Sequence, residues 1–272
     1  MKGSRVASVS VLVLGFAFLY LPILLLMVYS FNESRLATVW SGYSTKWYGE
    51  LLRDRGILDA ASVSIRIAFL TATAATVLGT LAALVITRFG RFTGRTLFAA
   101  LITAPLVMPE VILGLSILLM LVSLGNLFGF ASKGVAAIWI GHVTLTLSFV
   151  TVVISSRLSE LDRSLEEAAM DLGANRLKVF FLITLPIIAP ALVSGWLLAF
   201  TLSLDDVVIA SFLAGPDSTT LPIKVFSSVR LGVSPKINAL ATLMILIVSA
   251  CVIAAWWWTS RQERRRLASA AH

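Results

Sequence analysis

Residues 164–186 read Ser-Leu-Glu-Glu-Ala-Ala-Met-Asp-Leu-Gly-Ala-Asn-Arg-Leu-Lys-Val-Phe-Phe-Leu-Ile-Thr-Leu-Pro, and the reading of this stretch decides the fold. Ser164 and Glu167 stand at capping-box spacing, which predicts a helix starting at Ser164. Ala168 and Ala169 keep one side of that helix slim. Gly173 suits the left-handed residue that ends a helix. Asn175 can cap a second short helix, and Pro186 is expected to stop that helix or kink the start of the next apolar run. The product is a polar helix-turn-helix set between two long apolar runs.

Those runs recur along the chain. Apolar stretches cover residues 6–31, 60–86, 97–122, 135–154, 188–213 and 238–258. A bilayer core about 30 Å thick needs roughly 20 helical residues at about 1.5 Å each. Six membrane-spanning helices are therefore expected. The first run is too long for the apolar part of a signal peptide, about 7–15 residues, and is read as an uncleaved span. The 272-residue chain is 58% hydrophobic and only 13% charged, against about 25% charged in a soluble domain. Within 60–86, Ala68, Ala72, Ala75, Gly79 and Ala83 form a small-residue stripe that lets helix backbones approach.

The net charge of +8 is spread in short clusters between the apolar runs, which argues against a nucleic-acid surface. Basic residues number 13 in the N-terminus, the second and fourth connections and the tail, against 8 in the other connections. The positive-inside bias therefore places both termini and the helix-turn-helix in the cytoplasm. Cys251 is the only cysteine, so no intrachain disulfide forms, and it reads as a small buried hydrophobe.

Three carboxylates fall where they are costly. Glu110 follows Pro105 and Pro109, and Asp205 adjoins Asp206. Counted along continuous helices, all three lie on the order of 20–25 Å from the inner membrane face. Ionisable groups within a span mark candidate functional sites. Carboxylates attract cations, and a small dication such as a diamine could pass between them. Asp205 shares a face with Thr201, so these two are expected to line a path, with Asp206 turned about 100° away. A structural pairing of an aspartate with Arg66 is the alternative. His142 lacks metal-ligand spacing and reads as a packed or hydrogen-bonded group; no metal site is expected.

The pattern Glu167-Ala168-Ala169, three residues, Gly173, nine residues, Ile183, one residue, Leu185-Pro186 resembles the EAA motif of ABC-importer permeases at every defining position. The resemblance implies a type I permease fold, all-α, whose loop over 155–187 is the coupling helix seated on a cytoplasmic ATPase. No Gly-x-x-x-x-Gly-Lys-Ser/Thr loop occurs, so ATP and Mg are expected on a separate subunit, with no cofactor or catalytic residue on this chain.

Further segments, Trp47-Tyr48, Ala-Pro-Leu-Val-Met-Pro-Glu at 104–110, Thr-Leu-Ser-Leu-Asp-Asp at 201–206, Thr-Leu-Pro at 220–222 and residues 227–241, resemble the spermidine/putrescine-type permeases, nearest to the second-permease type of the putrescine importer. That likeness implies a bacterial inner-membrane heterodimer of two related permeases in the lipid bilayer, with two ATPase copies and a periplasmic polyamine-binding protein. It also implies a polyamine path at Glu110, Asp205 and Asp206, with Trp47 near the outer mouth; an interfacial anchor is the other reading of Trp47.

The expected organisation is an N-terminal span and periplasmic loop (1–58), a five-helix core (59–260) and a basic tail (261–272). Rival functions are the same machine carrying ferric iron or an oxyanion, or an ATPase-independent secondary transporter or channel.

Overall fold

A computed structural model describes residues 2–35, 39–232 and 234–270, with side chains described apart from those at 2–7, 231, 251–252, 254–256 and 258–270. Cys251 and the basic tail side chains fall outside the described residues. The described chain is helical, with one isolated bridge between Asn32 and Tyr43.

Twelve α-helices order the described residues. They are α1 (Lys2–Tyr29), α2 (Lys46–Arg53), α3 (Arg55–Arg88), α4 (Arg95–Thr103), α5 (Glu110–Phe128), α6 (Val135–Glu160), α7 (Arg163–Asp171), α8 (Arg176–Val179), α9 (Leu185–Asp205), α10 (Val208–Leu213), α11 (Leu221–Leu231) and α12 (Pro235–Ala270). Among the described residues, five stretches are long and apolar enough to cross a bilayer: Ser8–Tyr29, Arg55–Arg88, Glu110–Phe128, Val135–Glu160 and Arg176–Asp205. The sixth expected span lies within α12, whose described apolar part is Pro235–Ala250.

Two of the expected spans are broken, and prolines or aspartates break them. The run 97–122 is not one helix. It forms α4, a 3₁₀ turn over Ala104–Leu106, and α5 starting anew at Glu110. Pro105 and Pro109 remove two backbone donors, and the ring of Pro109 pushes Met108 away from helical geometry. The run 188–213 also divides, because α9 ends at Asp205 and Asp206 takes extended backbone angles before α10. The depth counted along a continuous helix for Glu110 therefore does not hold, whereas the count from Ile188 to Asp205 runs along the unbroken α9 and the break follows it.

The chain clusters into two compact units, residues 57–226 and residues 1–56 with 227–272. In the larger unit α6 lies against α9 and α10 against α5. The small-residue stripe of α3 is fully buried at Ala68, Ala72, Ala75 and Ala83. Gly79 shows why size matters there: a Cβ on it would lie 2.9 Å from Val150 Cγ1, and Gly195 of α9 closes on the same valine at 3.3 Å. Val150 on α6 thus fills grooves in two neighbours, the close backbone approach by which membrane helices associate. A second apolar cluster joins Leu113, Ile117, Ile138, Ile209 and Leu213.

In the smaller unit α12 contacts α1 and α2. The connection from α1 to α2 is pinned by Asn32, whose side chain donates to the Val39 carbonyl and accepts from the Ser41 N–H. Lys236 reaches Asp54 at 2.9 Å and ties the start of α12 to the end of α2.

Candidate docking loop and acidic path

The loop expected to dock begins two residues before the place where capping-box spacing puts it. Asp162, not Ser164, caps α7; its carboxylate accepts the Ser164 N–H at 2.9 Å. Aspartate is a strong N-cap acceptor and sits well at the positive end of a helix. The Ser164 N–H also holds the Asp162 carboxyl below its ordinary range. Gly173 is left-handed, with φ +87°. Its N–H donates to Met170 O and that of Ala174 to Ala169 O, the paired pattern that closes a helix end through a glycine. Asn175 caps α8 by accepting the Lys178 N–H at 2.8 Å.

Pro186 does not stop the second helix. α8 runs through a π turn over Phe180–Thr184 into α9, with Ile183 in that turn and Leu185-Pro186 just after it. The wide turn shifts the hydrogen-bond register where proline has no N–H to give. The short helix and the fifth span are consequently one continuous rod from Arg176 to Asp205.

Glu166 and Glu167 have opposite fates. Glu166 is largely buried, pairs with Arg88 at 2.9 Å and accepts from Thr184 Oγ1 at 2.8 Å. It therefore links α7 to the last turn of α3 and to the π turn below α9. Arg163 adds a second strut by donating to Thr87 O at 2.7 Å. Glu167 is exposed, as is Ala168, while Ala169 is half-buried. Around them Leu172 is 90% and Leu177 70% exposed, an apolar rim left uncovered by the described residues.

The acids separate in the same way. Asp206 is 8% exposed and surrounded by donors. Its carboxylate accepts the N–H groups of Ile209 and Ala210 and lies 3.1 Å from His142 Nε2. Because an ionised carboxylate can only accept, Nε2 supplies the proton of this bond, and Nδ1 lies at hydrogen-bond distance, 2.7 Å, from Ser203 Oγ. Asp205 and Thr201 are exposed on α9, and Asp205 forms no ion pair among the described residues. Thr201 Oγ1 donates back to Leu197 and Leu198 carbonyls.

Glu110 is exposed in the first turn of α5, where its charge suits the helix dipole. One turn on, Gly114 meets Ile209, itself one turn past Asp205 and Asp206. The two acidic segments are thus each within a turn of one helix contact. Arg66 is exposed and makes no ion pair among the described residues, so the partner of the buried aspartate is His142 rather than Arg66. Trp47, in the smaller unit, is 4% exposed and donates its indole N–H to Asn32 O at 2.7 Å.

These elements define a class: a multi-pass helical membrane protein with a polar helical loop tied to its spans by Glu166 and Arg163, and carboxylates beside its broken helices. The sequence profile of the binding-protein-dependent transport system inner membrane component family matches residues 75–267, and the chain belongs to that family. It is thus a transport component rather than an enzyme, and a multi-pass inner-membrane subunit of an ABC importer.

The chain is 64% identical over 236 residues to the putrescine transport system permease protein PotI of Escherichia coli (strain K12), covering 86% of this chain and 84% of the relative. It is 40% identical over 232 residues to the spermidine/putrescine transport system permease protein PotC of the same strain, covering 85% and 86%. In fold it is similar to a crystal structure of a bacterial ABC transporter involved in import of the acidic polysaccharide alginate. That match has a TM-score of 0.70 and 18% identity over 95% of this chain and 98% of the other.

Proposed function

We propose that this subunit carries a polyamine, putrescine above all, from periplasm to cytoplasm. ATP is hydrolysed with Mg by two copies of a partner ATPase. A second, homologous permease completes the pore as a heterodimer, and a periplasmic binding protein delivers the cargo. The observation that carries this reading is the division between neighbouring acids. Asp206 is satisfied within the chain, and Asp205 is left exposed without a basic partner among the described residues. An ionisable group in a span is tolerated where it borders a cavity or a partner subunit. Asp205, with Thr201 on its face and Glu110 on the broken third span, offers a diamine two carboxylates in turn. The 64% identity to a permease named for putrescine supports that cargo.

Both termini and the docking loop lie in the cytoplasm in this reading, and residues 59–260 form the transport core. The loop from Glu167 through Ala168, Ala169 and Gly173 to Ile183, Leu185 and Pro186 seats in the ATPase. The exposed apolar rim at Leu172 and Leu177 supports that contact. Trp47 shapes the outer face by holding the α1–α2 connection. The experiment is labelled putrescine uptake by the reconstituted importer carrying Asp205→Asn or Glu110→Gln. Both variants should be well folded and slow; uptake unchanged in both would remove the acids from the path.

A further inference from the structure

Where α3 ends, the fold leaves a cavity of about 630 Å³ lined by Arg88, Arg95 and Arg163 and walled by α4 and α6. That size is in the range of small-ligand sites. The three arginines begin with a structural job. The last carbonyls of a helix lack intrahelical partners, and Arg95 donates to Ile86 O at 2.7 Å while Arg163 donates to Thr87 O at 2.7 Å. Capping uses one terminal nitrogen of each. A guanidinium carries five N–H donors in a fixed fork, so most of the donors of Arg95 and Arg163 remain.

No carboxylate takes them. Glu166 is committed to Arg88 and Thr184, and among the described residues neither Arg95 nor Arg163 forms an ion pair. In the wall, Ser155 has a buried hydroxyl with no hydrogen-bond partner. Buried polar groups are rarely left so. The carbonyl bonds fix the two forks in place, so a planar or tetrahedral oxyanion meets donors already oriented. Ile86, Ala99 and Val152 add apolar surface to a lining that also holds Thr103, Thr151 and Ser156. α3 is 34 residues long, about 50 Å at 1.5 Å per residue and longer than the hydrocarbon core is thick, and its apolar run ends at Ile86 just before Arg88, the pattern of a helix end at the membrane surface.

We infer that this cavity binds the phosphate of an anionic phospholipid headgroup, with Arg95 and Arg163 as the phosphate donors. A phosphate over basic side chains with acyl chains along an apolar wall is the chemistry that basic pockets between membrane helices serve. Charge and wall together favour lipid over free phosphate, because a soluble ion uses only the polar end. The site lies beside the Arg88–Glu166 strut of the docking loop, so an occupant there braces the joint between α3 and α7.

The test uses the full-length chain purified in mild detergent and read by native mass spectrometry and thermal unfolding. The probes are phosphatidylglycerol, phosphatidylcholine and inorganic phosphate, each added alone. Phosphatidylglycerol should be retained and should raise the unfolding midpoint; phosphatidylcholine should do neither. Arg95→Gln with Arg163→Gln should weaken retention roughly ten- to hundredfold, the scale of one or two lost charge-assisted hydrogen bonds. Because those arginines also cap α3, Val152→Trp serves as a second variant, filling the cavity with both caps intact, and should abolish retention as well. Equal retention of the two lipids, or undiminished retention in both variants, overturns the site. A midpoint shift by inorganic phosphate equal to that of phosphatidylglycerol overturns the lipid and leaves a soluble phosphate.

Discussion

His142 Nε2 lies 3.1 Å from a carboxylate oxygen of Asp206, and both side chains are almost wholly buried. This contact joins α6 to the break between α9 and α10. It explains how one of two adjacent aspartates can be structural while the other is exposed. Asp206 has three donors aimed at it and needs no cargo; Asp205 has none of those donors.

The pair should separate by phenotype. Asp205→Asn is expected to fold and insert at wild-type level while raising the putrescine KM about tenfold, the scale of one lost charged hydrogen bond. Asp206→Asn should lower folded yield instead, because two backbone N–H groups and the imidazole lose a charged acceptor. Quantifying protein in the membrane alongside uptake checks both.

Removing the imidazole tests the other half of the contact. His142→Ala is expected to destabilise the protein by about 1–3 kcal/mol, the cost of leaving a buried group unsatisfied. His142→Gln should recover part of that, since its amide can still donate to Asp206. Thermal unfolding in detergent measures the difference, and equal midpoints for the two variants would argue that the contact is idle.

The docking loop should transmit force through Glu166. Glu166→Gln and Arg88→Gln are each expected to weaken the coupling of ATP hydrolysis to uptake, and the double variant should be little worse than either. Neighbouring residues in one network are non-additive in this way. Transport per ATP hydrolysed is the readout. Glu167→Gln should act additively with Glu166→Gln, because Glu167 faces outward and Glu166 faces the spans.

Asp162 gives the loop a pH dependence with a definite sign. The Ser164 N–H depresses its folded pKa. The cap is therefore fully present above the unfolded value of about 3.9 and is lost as pH falls through the lower folded value. Hydrogen-exchange protection of the Ser164 amide should fall in that acidic window, and Asp162→Ala should remove it above the window while changing little below it.

Backbone geometry predicts a last pair. Gly173→Val places a β-branched residue in the left-handed region and should cost about 1–3 kcal/mol. Gly79→Val drives new atoms into Val150 and should cost about 1–3 kcal/mol by overpacking. The first should uncouple transport as well as destabilise; the second should only destabilise. Unfolding midpoints and uptake measured together distinguish them.

Much of this was legible in the sequence, and what was not has physical causes. The left-handed Gly173 and the Asn175 cap follow from local rules, and the structure has both. The cap at Asp162 is hidden in the sequence because Ser164 and Glu167 also fit a capping spacing, and only the folded backbone chooses between overlapping caps. Pro105 and Pro109 were visible, yet the run around them was hydrophobic enough to read as one span. Asp206 as a helix break was harder still, since aspartate does not force a break as proline does. The partners of the buried acids, His142 at 64 residues and Arg88 at 78 residues away, are tertiary contacts that no spacing in one sequence encodes. The doublet Glu166-Glu167 was the available signal for a loop glutamate that turns inward.

The most direct measurement is putrescine uptake into proteoliposomes holding this subunit with its second permease, ATPase and binding protein, comparing the unaltered chain with Asp205→Asn. The unaltered importer should accumulate putrescine only with ATP present, and Asp205→Asn should cut uptake about tenfold at low cargo concentration. Accumulation that persists without the ATPase, or an Asp205→Asn importer as fast as the unaltered one, would contradict the account.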